Sequence, residues 1–111
     1  MAEAYKVLAQ AHLTTTSDTD IYTVPSATEA VISTLVIANI TGSSTTYNIA
    51  IRPDDETLAN KHYIAKDVAI AANDSTTLTL GITLGDTDVV TASAGAGNAL
   101  SFNIFGTEIT A

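Results

Sequence analysis

The sequence predicts an all-β fold, a single-domain antiparallel β-sandwich of about eight strands, of jelly-roll or immunoglobulin-like type. Three observations lead there. Thr, Ile and Val supply 37 of the 111 residues, and β-branched side chains favour the pleated sheet because χ1 is restricted in a helix. Apolar and polar residues alternate at period two over several stretches, the mark of a half-buried strand. Clusters of Gly, Asn, Asp and Ser separate those stretches at close intervals, as tight turns require.

Each element follows in order. Tyr5–Leu13 reads as a weak strand with Tyr5, Val7, Ala9 and Ala11 on one face. Asp20–Val24 is a second strand, ended by Pro25, which cannot donate to a ladder. Ala30–Ile40 is apolar on both faces and is expected to be central and covered on both sides. Thr41-Gly42-Ser43-Ser44 is expected to join it to the next strand as a short hairpin. Thr45–Pro53 alternates, with Tyr47, Ile49 and Ile51 opposite Asn48, Ala50 and Arg52. Pro53–Lys61 is the long polar connection, with one helical turn expected around Glu56–Asn60. His62–Ile70 is a weaker strand, followed by the turn Ala71–Asp74. Thr76–Leu84 places Leu78, Leu80, Ile82 and Leu84 opposite Thr77, Thr79, Gly81 and Thr83. Asp88–Ala94 lies between the turns Gly85–Thr87 and Gly95–Asn98, and the last strand turns Leu100, Phe102 and Ile104 inward. Periodicity does not choose between the two sandwich topologies.

Composition narrows the function. A chain of 111 residues is the size of one domain, so residues 1–111 are expected to fold as a unit. Four basic residues against twelve acidic ones give a net charge of −8, which argues against a nucleic-acid or membrane partner, since phosphate contacts need clustered Lys and Arg. With no cysteine, disulfides, thiolate metal sites and thiol nucleophiles are excluded.

Chemistry-bearing constellations are sparse. His12 and His62 stand in no nucleophile-elbow setting such as G-x-S-x-G, so neither an enzyme nor a small-molecule substrate is expected, and no cofactor. Asp54-Asp55-Glu56 and Asp86-x-Asp88 are oxygen-rich loops of the kind calcium uses, but neither has EF-hand spacing; solvated acidic loops are the expected reading. Asn39-Ile-Thr matches a glycosylation acceptor, but Asn39 sits in the most apolar strand, where modification would oppose folding.

Asp20–Pro25 (DIYTVP), Ala30–Asn39 (AVISTLVIAN) and Thr45–Pro53 (TTYNIAIRP) resemble stretches of small virion structural proteins of tailed bacteriophages. Ala59–Tyr63 (ANKHY), Val68–Asp74 (VAIAAND), Leu80–Asp88 (LGITLGDTD) and Ser101–Thr110 (SFNIFGTEIT) extend the resemblance over roughly residues 19–110. It implies a particle component, foremost a capsid decoration or cement protein that stabilises the major capsid protein lattice. The alternative is a tail, fibre or neck module with a role in host recognition. Sister copies are the further implied partner, in a homotrimer that lets one small domain span several subunits.

Two regions are expected to make contacts. Residues 1–13 form either an ordinary first strand of the sandwich or an edge strand or arm that pairs with a neighbouring subunit, with Tyr5 and Val7 foremost; an open edge is a template for pairing. The long loop carries Asp54, Asp55 and Glu56, then Lys61, His62 and Tyr63; polar loops of this length are disproportionately functional. Pairing of Arg52 and Lys61 with the loop's own carboxylates is the competing expectation.

Overall fold

The structure is a computed structural model that describes residues 2–110, the Leu80 side chain excepted. It contains β1 (Ala2–His12), β2 (Thr19–Thr23), β3 (Thr28–Asn39), β4 (Thr45–Arg52), β5 (Tyr63–Ile70), β6 (Ser75–Leu84), β7 (Val89–Ala94) and β8 (Leu100–Thr110). They form two four-stranded sheets, β1-β8-β3-β6 and β2-β7-β4-β5, antiparallel throughout. The strands pair as β1 with β8, β2 with β7, β3 with β6 and β4 with β5. That nesting is one long hairpin, bent at the β4–β5 connection and rolled up, which is a jelly roll. The topology that periodicity left open is therefore settled.

The two inner faces close on one core containing Ile32, Leu35, Ile37, Tyr47, Ile49, Val90, Leu100, Phe102 and Ile104. Each such side chain contributes on the order of 1.5–3 kcal/mol by leaving water. The alternation of Thr45–Pro53 and of Leu100–Ile104 holds as expected.

Several local expectations are corrected. Thr41–Ser44 is not a hairpin: β3 and β4 lie in different sheets, so the turn carries the chain across the sandwich. Asn39 holds it, donating to Ser43 O (2.8 Å) and accepting from Thr41 N–H (3.0 Å) and Thr41 Oγ1 (2.8 Å). β3 is central in its sheet but covered on one side only: Ala30, Ile32, Leu35 and Ile37 are buried while Val31, Val36 and Ala38 are half-buried. The single helical turn expected around Glu56–Asn60 is replaced by two 3-10 turns, Pro53–Asp55 and Asn60–His62. Proline suits a first helical position, but Asp54 then turns left-handed at φ 52° and stops propagation.

Bulges explain the remaining differences. Register shifts between Val7 and Ala9, so Leu8, Ala9 and Ala11 pack on the core while Tyr5 and Val7 stay exposed; the single face expected for β1 is split. In β6 the alternation breaks where Ile32 and Thr34 of β3 face Ile82 and Thr79, with Gly81 at φ 68°, a conformation that favours glycine. The expected inward Leu80 lies outside the described side chains. Gly106 lies beside the β3 bulge because nothing larger fits: a Cβ there would stand 2.0 Å from Val31 O.

Candidate interaction surfaces

The outer face of the β2-β7-β4-β5 sheet is covered by the chain itself. Ala50 pairs with Thr91 and Arg52 with Val89 on that face, and all four are buried. The turn Pro53–Asp55 packs on β7 and the turn Asn60–His62 on β4, so the long loop folds back over the sheet.

Arg52 is what holds it down. Its Nε donates to Thr91 Oγ1 (2.9 Å), Nη1 to Glu56 O (2.7 Å) and Nη2 to Asp20 Oδ1 (2.6 Å). Asp55 pairs with Nη1 at 3.0 Å. Burial alone disfavours the guanidinium charge, but hydrogen bonding and attraction to Asp20, then Asp55, offset it and leave the pKa above its ordinary value. Thr91 Oγ1 also donates to Asp20 Oδ1 at 2.9 Å, tying β2, β4, β7 and the loop into one network. The arrangement is self-satisfied, as a buried cation must be.

The loop residues expected to make contacts are divided by this arrangement. His62 is buried, and its Nδ1 accepts from Ala59 N–H at 2.9 Å. That leaves the proton on Nε2, which donates to Glu56 Oε1 at 3.1 Å. The bond from His62, then the charge of Lys61 at 3.6 Å, draw the Glu56 pKa below its ordinary value. Asp54, Asp55, Glu56 and Lys61 are exposed; Tyr63 is half-buried, with Lys66 Nζ 4.7 Å above its ring. The pairing of Arg52 and Lys61 with the loop's own carboxylates is thus present. The two acidic loops also meet, since Asp88 Oδ1 accepts from Asp54 N–H at 2.9 Å and Asp88 Oδ2 from Gly85 N–H at 2.8 Å. Among the described residues, no three His, Cys, Asp or Glu side chains converge as metal ligands would.

The other sheet presents a different outer face. Cross-strand partners share a face, and the register places Gln10–Asn103–Val36–Thr77, Val7–Phe105–Thr34–Thr79 and Tyr5–Thr107–Val31–Thr83 in successive rows. Among the described residues these rows carry no charge. Glu3 and Glu29 bound them at one end and His12 at the other. Tyr5 is 81% exposed and Val7 48%, so both expected contact residues of β1 lie on this face.

At the edge of this sheet Lys6 Nζ meets Glu108 Oε1 at 2.5 Å, and Tyr22 Oη donates to Glu108 Oε2 at 2.6 Å. The bonds from Lys6 and then Tyr22 draw the Glu108 pKa down. Burial, and then the bond to Glu108, push the Tyr22 hydroxyl well above its ordinary value. Sequence reading missed Asp20, Thr91, Glu108 and Tyr22. Their signal was a polar residue interrupting an apolar strand, but the partners sit up to 86 positions away and only the topology brings them together.

No family model matches the chain, and no curated protein matches it. Among solved structures, it is similar to a chain of the acid-stable capsid of Helicobacter pylori bacteriophage KHP30, with a TM-score of 0.59 and 16% identity. That match covers 99% of this chain and 94% of that one. A second similarity, to a chain of infectious bursal disease virus strain Gx, has a TM-score of 0.44 and 11% identity, covering 96% of this chain and 30% of that one.

Proposed function

We propose that this chain is a structural component of a bacteriophage virion, a decoration or cement protein that binds the outside of the capsid and stabilises the major capsid protein lattice. The observation that carries the reading is the end-to-end correspondence, 99% of one chain with 94% of the other, to a chain of the phage KHP30 capsid. The whole fold corresponds, and the jelly roll is a recurrent capsid architecture.

The surface described above supplies a means. Internal pressure pushes capsid subunits apart, and a small domain opposes it by burying area across their boundary. The uncharged rows on the β1-β8-β3-β6 sheet suit such a contact, because the core of an interface is depleted of charge while its rim is polar. The exposed carboxylates Asp54 and Asp55 sit on the loop of the opposite sheet, the second candidate contact.

Purified particles test the reading. A stained gel is expected to show this chain at an abundance comparable to the major capsid protein. Shells lacking it are expected to regain heat resistance when it is added, and to regain none from Val36→Glu. A band at the much lower abundance of tail parts, with no binding to shells, refutes the decoration role in favour of a tail module. Asp54→Lys with Asp55→Lys tests the loop: if particle incorporation and domain stability both stay unchanged, the loop is a solvated connection.

A further inference from the structure

Among the described residues four strand edges are open, those of β1, β6, β2 and β5, and three carry devices that discourage pairing. β2 has only five residues and a register shift. β5 has two register shifts and left-handed Asp67 at φ 51°. β6 is broken near Gly81 at φ 68°. Short and bulged edges are among the ways proteins keep neighbours off. β1 differs. Its first six described residues, Ala2–Val7, pair without interruption with Phe105–Thr110, and the shift comes only after Val7. The same segment displays the exposed apolar side chains Tyr5 and Val7.

Charge indicates what pairs there. The chain carries a net −8, so two copies repel over most of their surface. Ala2–Val7 holds one Glu and one Lys and is locally neutral, so pairing there adds no net charge repulsion. A two-fold axis normal to the sheet, at Tyr5, sets Tyr5 opposite Tyr5, Lys6 opposite Ala4 and Glu3 opposite Val7. No like charges then face one another, whereas centring on Glu3 or Lys6 places identical charges side by side, which is destabilising.

We propose that β1 is a self-recognition edge: two copies of this chain pair β1 to β1, antiparallel, about a two-fold axis at Tyr5. The two four-stranded sheets then become one of eight strands, and the uncharged outer face doubles. This symmetry replaces the three-fold cluster expected from the resemblance, because identical antiparallel edges close at two. The inference goes beyond the capsid reading. Pairing in solution and binding to particles are measured separately, so either can fail alone.

Five residues a side, from Glu3 to Val7, make a small contact beside a standard interface of about 1,600 Å², so the pair is expected at high protein concentration and is best captured covalently. The chain has no cysteine, so a single introduced one reports without background. Directly opposed antiparallel residues lie about 4.5–5.5 Å apart at Cα, within disulfide reach. Under mild oxidation Tyr5→Cys is expected to become a covalent dimer while Lys66→Cys, on the β5 edge, stays monomeric. Tyr5→Lys, at a side chain 81% exposed, sets like charges opposite each other across the axis and is expected to abolish the dimer that the unmodified chain forms in sedimentation at high concentration, with its melting temperature retained. Equal crosslinking at both cysteines, none at Tyr5→Cys, or a mass of three chains overturns the proposal.

Discussion

Replacing Arg52 by Met tests whether one side chain secures the long loop. Met keeps much of the aliphatic stem and removes the guanidinium, so the loss is mainly polar. Four bonds disappear, to Thr91, Asp20, Asp55 and the Glu56 carbonyl. Breaking a buried ion pair costs about 3–5 kcal/mol when the stranded charge stays buried. Here Asp20 and Asp55 are 51% and 67% exposed at the side chain, so both carboxylates recover water once the cation is gone. The remaining cost is the hydrogen bonds to Thr91 and to the Glu56 carbonyl, plus a discounted share of the ionic ones. That places the loss at about 2–3 kcal/mol. For a chain of this size it lowers the melting temperature by roughly 10 °C. Calorimetry measures it, and trypsin adds a local readout. Lys61 lies in the loop, and cleavage after it should accelerate more than global unfolding does, because the loop opens before the sheets part. A loss under about 1 kcal/mol, in the range of an exposed pair, with unchanged cleavage at Lys61, would show that packing rather than Arg52 holds the loop.

Three further outcomes are expected. Gly106→Ala drives a Cβ into a backbone carbonyl that cannot rotate away, so its cost falls at the upper end of overpacking, about 3 kcal/mol; Gly42→Ala, into open space, should stay within about 0.5 kcal/mol in denaturant titration. Glu108 has a folded pKa held below its ordinary value, so its contribution is present above the unfolded value of about 4.3 and is lost as pH falls through the folded one. Glu108→Gln should therefore flatten the stability profile on the acid side of pH 4.3 and leave its slope near pH 7 unchanged; Glu56→Gln should act in the same direction more weakly, since Glu56 is exposed. Phe102→Ala, at 1% exposure, should cost about 3–5 kcal/mol, and a smaller loss would mean that the core closes over the gap.

What the sequence made legible is local. Strand positions came through because period two survives in isolation, so even weak stretches such as Asp20–Val24 and Asp88–Ala94 are strands. Topology did not come through, because short polar turns look alike whether they reverse a chain within a sheet or carry it between sheets; Thr41–Ser44 shows the difference, since its path depends on Asn39 reaching Ser43. The two-sided reading of Ala30–Ile40 failed for a related reason. Val31 and Val36 are β-branched to suit a pleat, not because a layer covers them. Bulges were invisible at Leu8, where no unusual residue marks the shift, and signalled at Gly81 by the glycine alone. Tyr5 and Val7 do lie on an edge strand, but the period-two pattern grouped them with Ala9 and Ala11, and only the bulge at Leu8 separates the exposed pair from the inward one. The Arg52 network was half legible: its position beside the acidic loop was plain, but Asp20 and Thr91 become neighbours only when β2 and β4 settle on either side of β7.

The unequal treatment of the two outer faces ties fold to function. Both sheets have an inner face sealed by the same core, so outer-face differences are not demanded by folding. On one sheet the chain commits Pro53–His62, a buried arginine and a buried histidine to covering Ala50, Val89 and Thr91. On the other, no described residue forms a cover, and Val31, Val36 and Phe105 are left half-exposed among threonines. Threonine suits the proposed docking role: its methyl offers apolar contact, its hydroxyl keeps the free face wetted, and its β-branch maintains the pleat. A patch made of aliphatic residues alone would invite non-specific association, and one made of charges would have to be desolvated on docking. Changing Thr77 and Thr79 together to Val should therefore leave the fold intact and raise aggregation on heating, while Thr77→Lys and Thr79→Lys should keep the chain monodisperse and abolish binding to capsid shells. If the lysine variant still binds and protects shells, this face is not the docking face, and contact must come from the side carrying the Arg52-anchored loop.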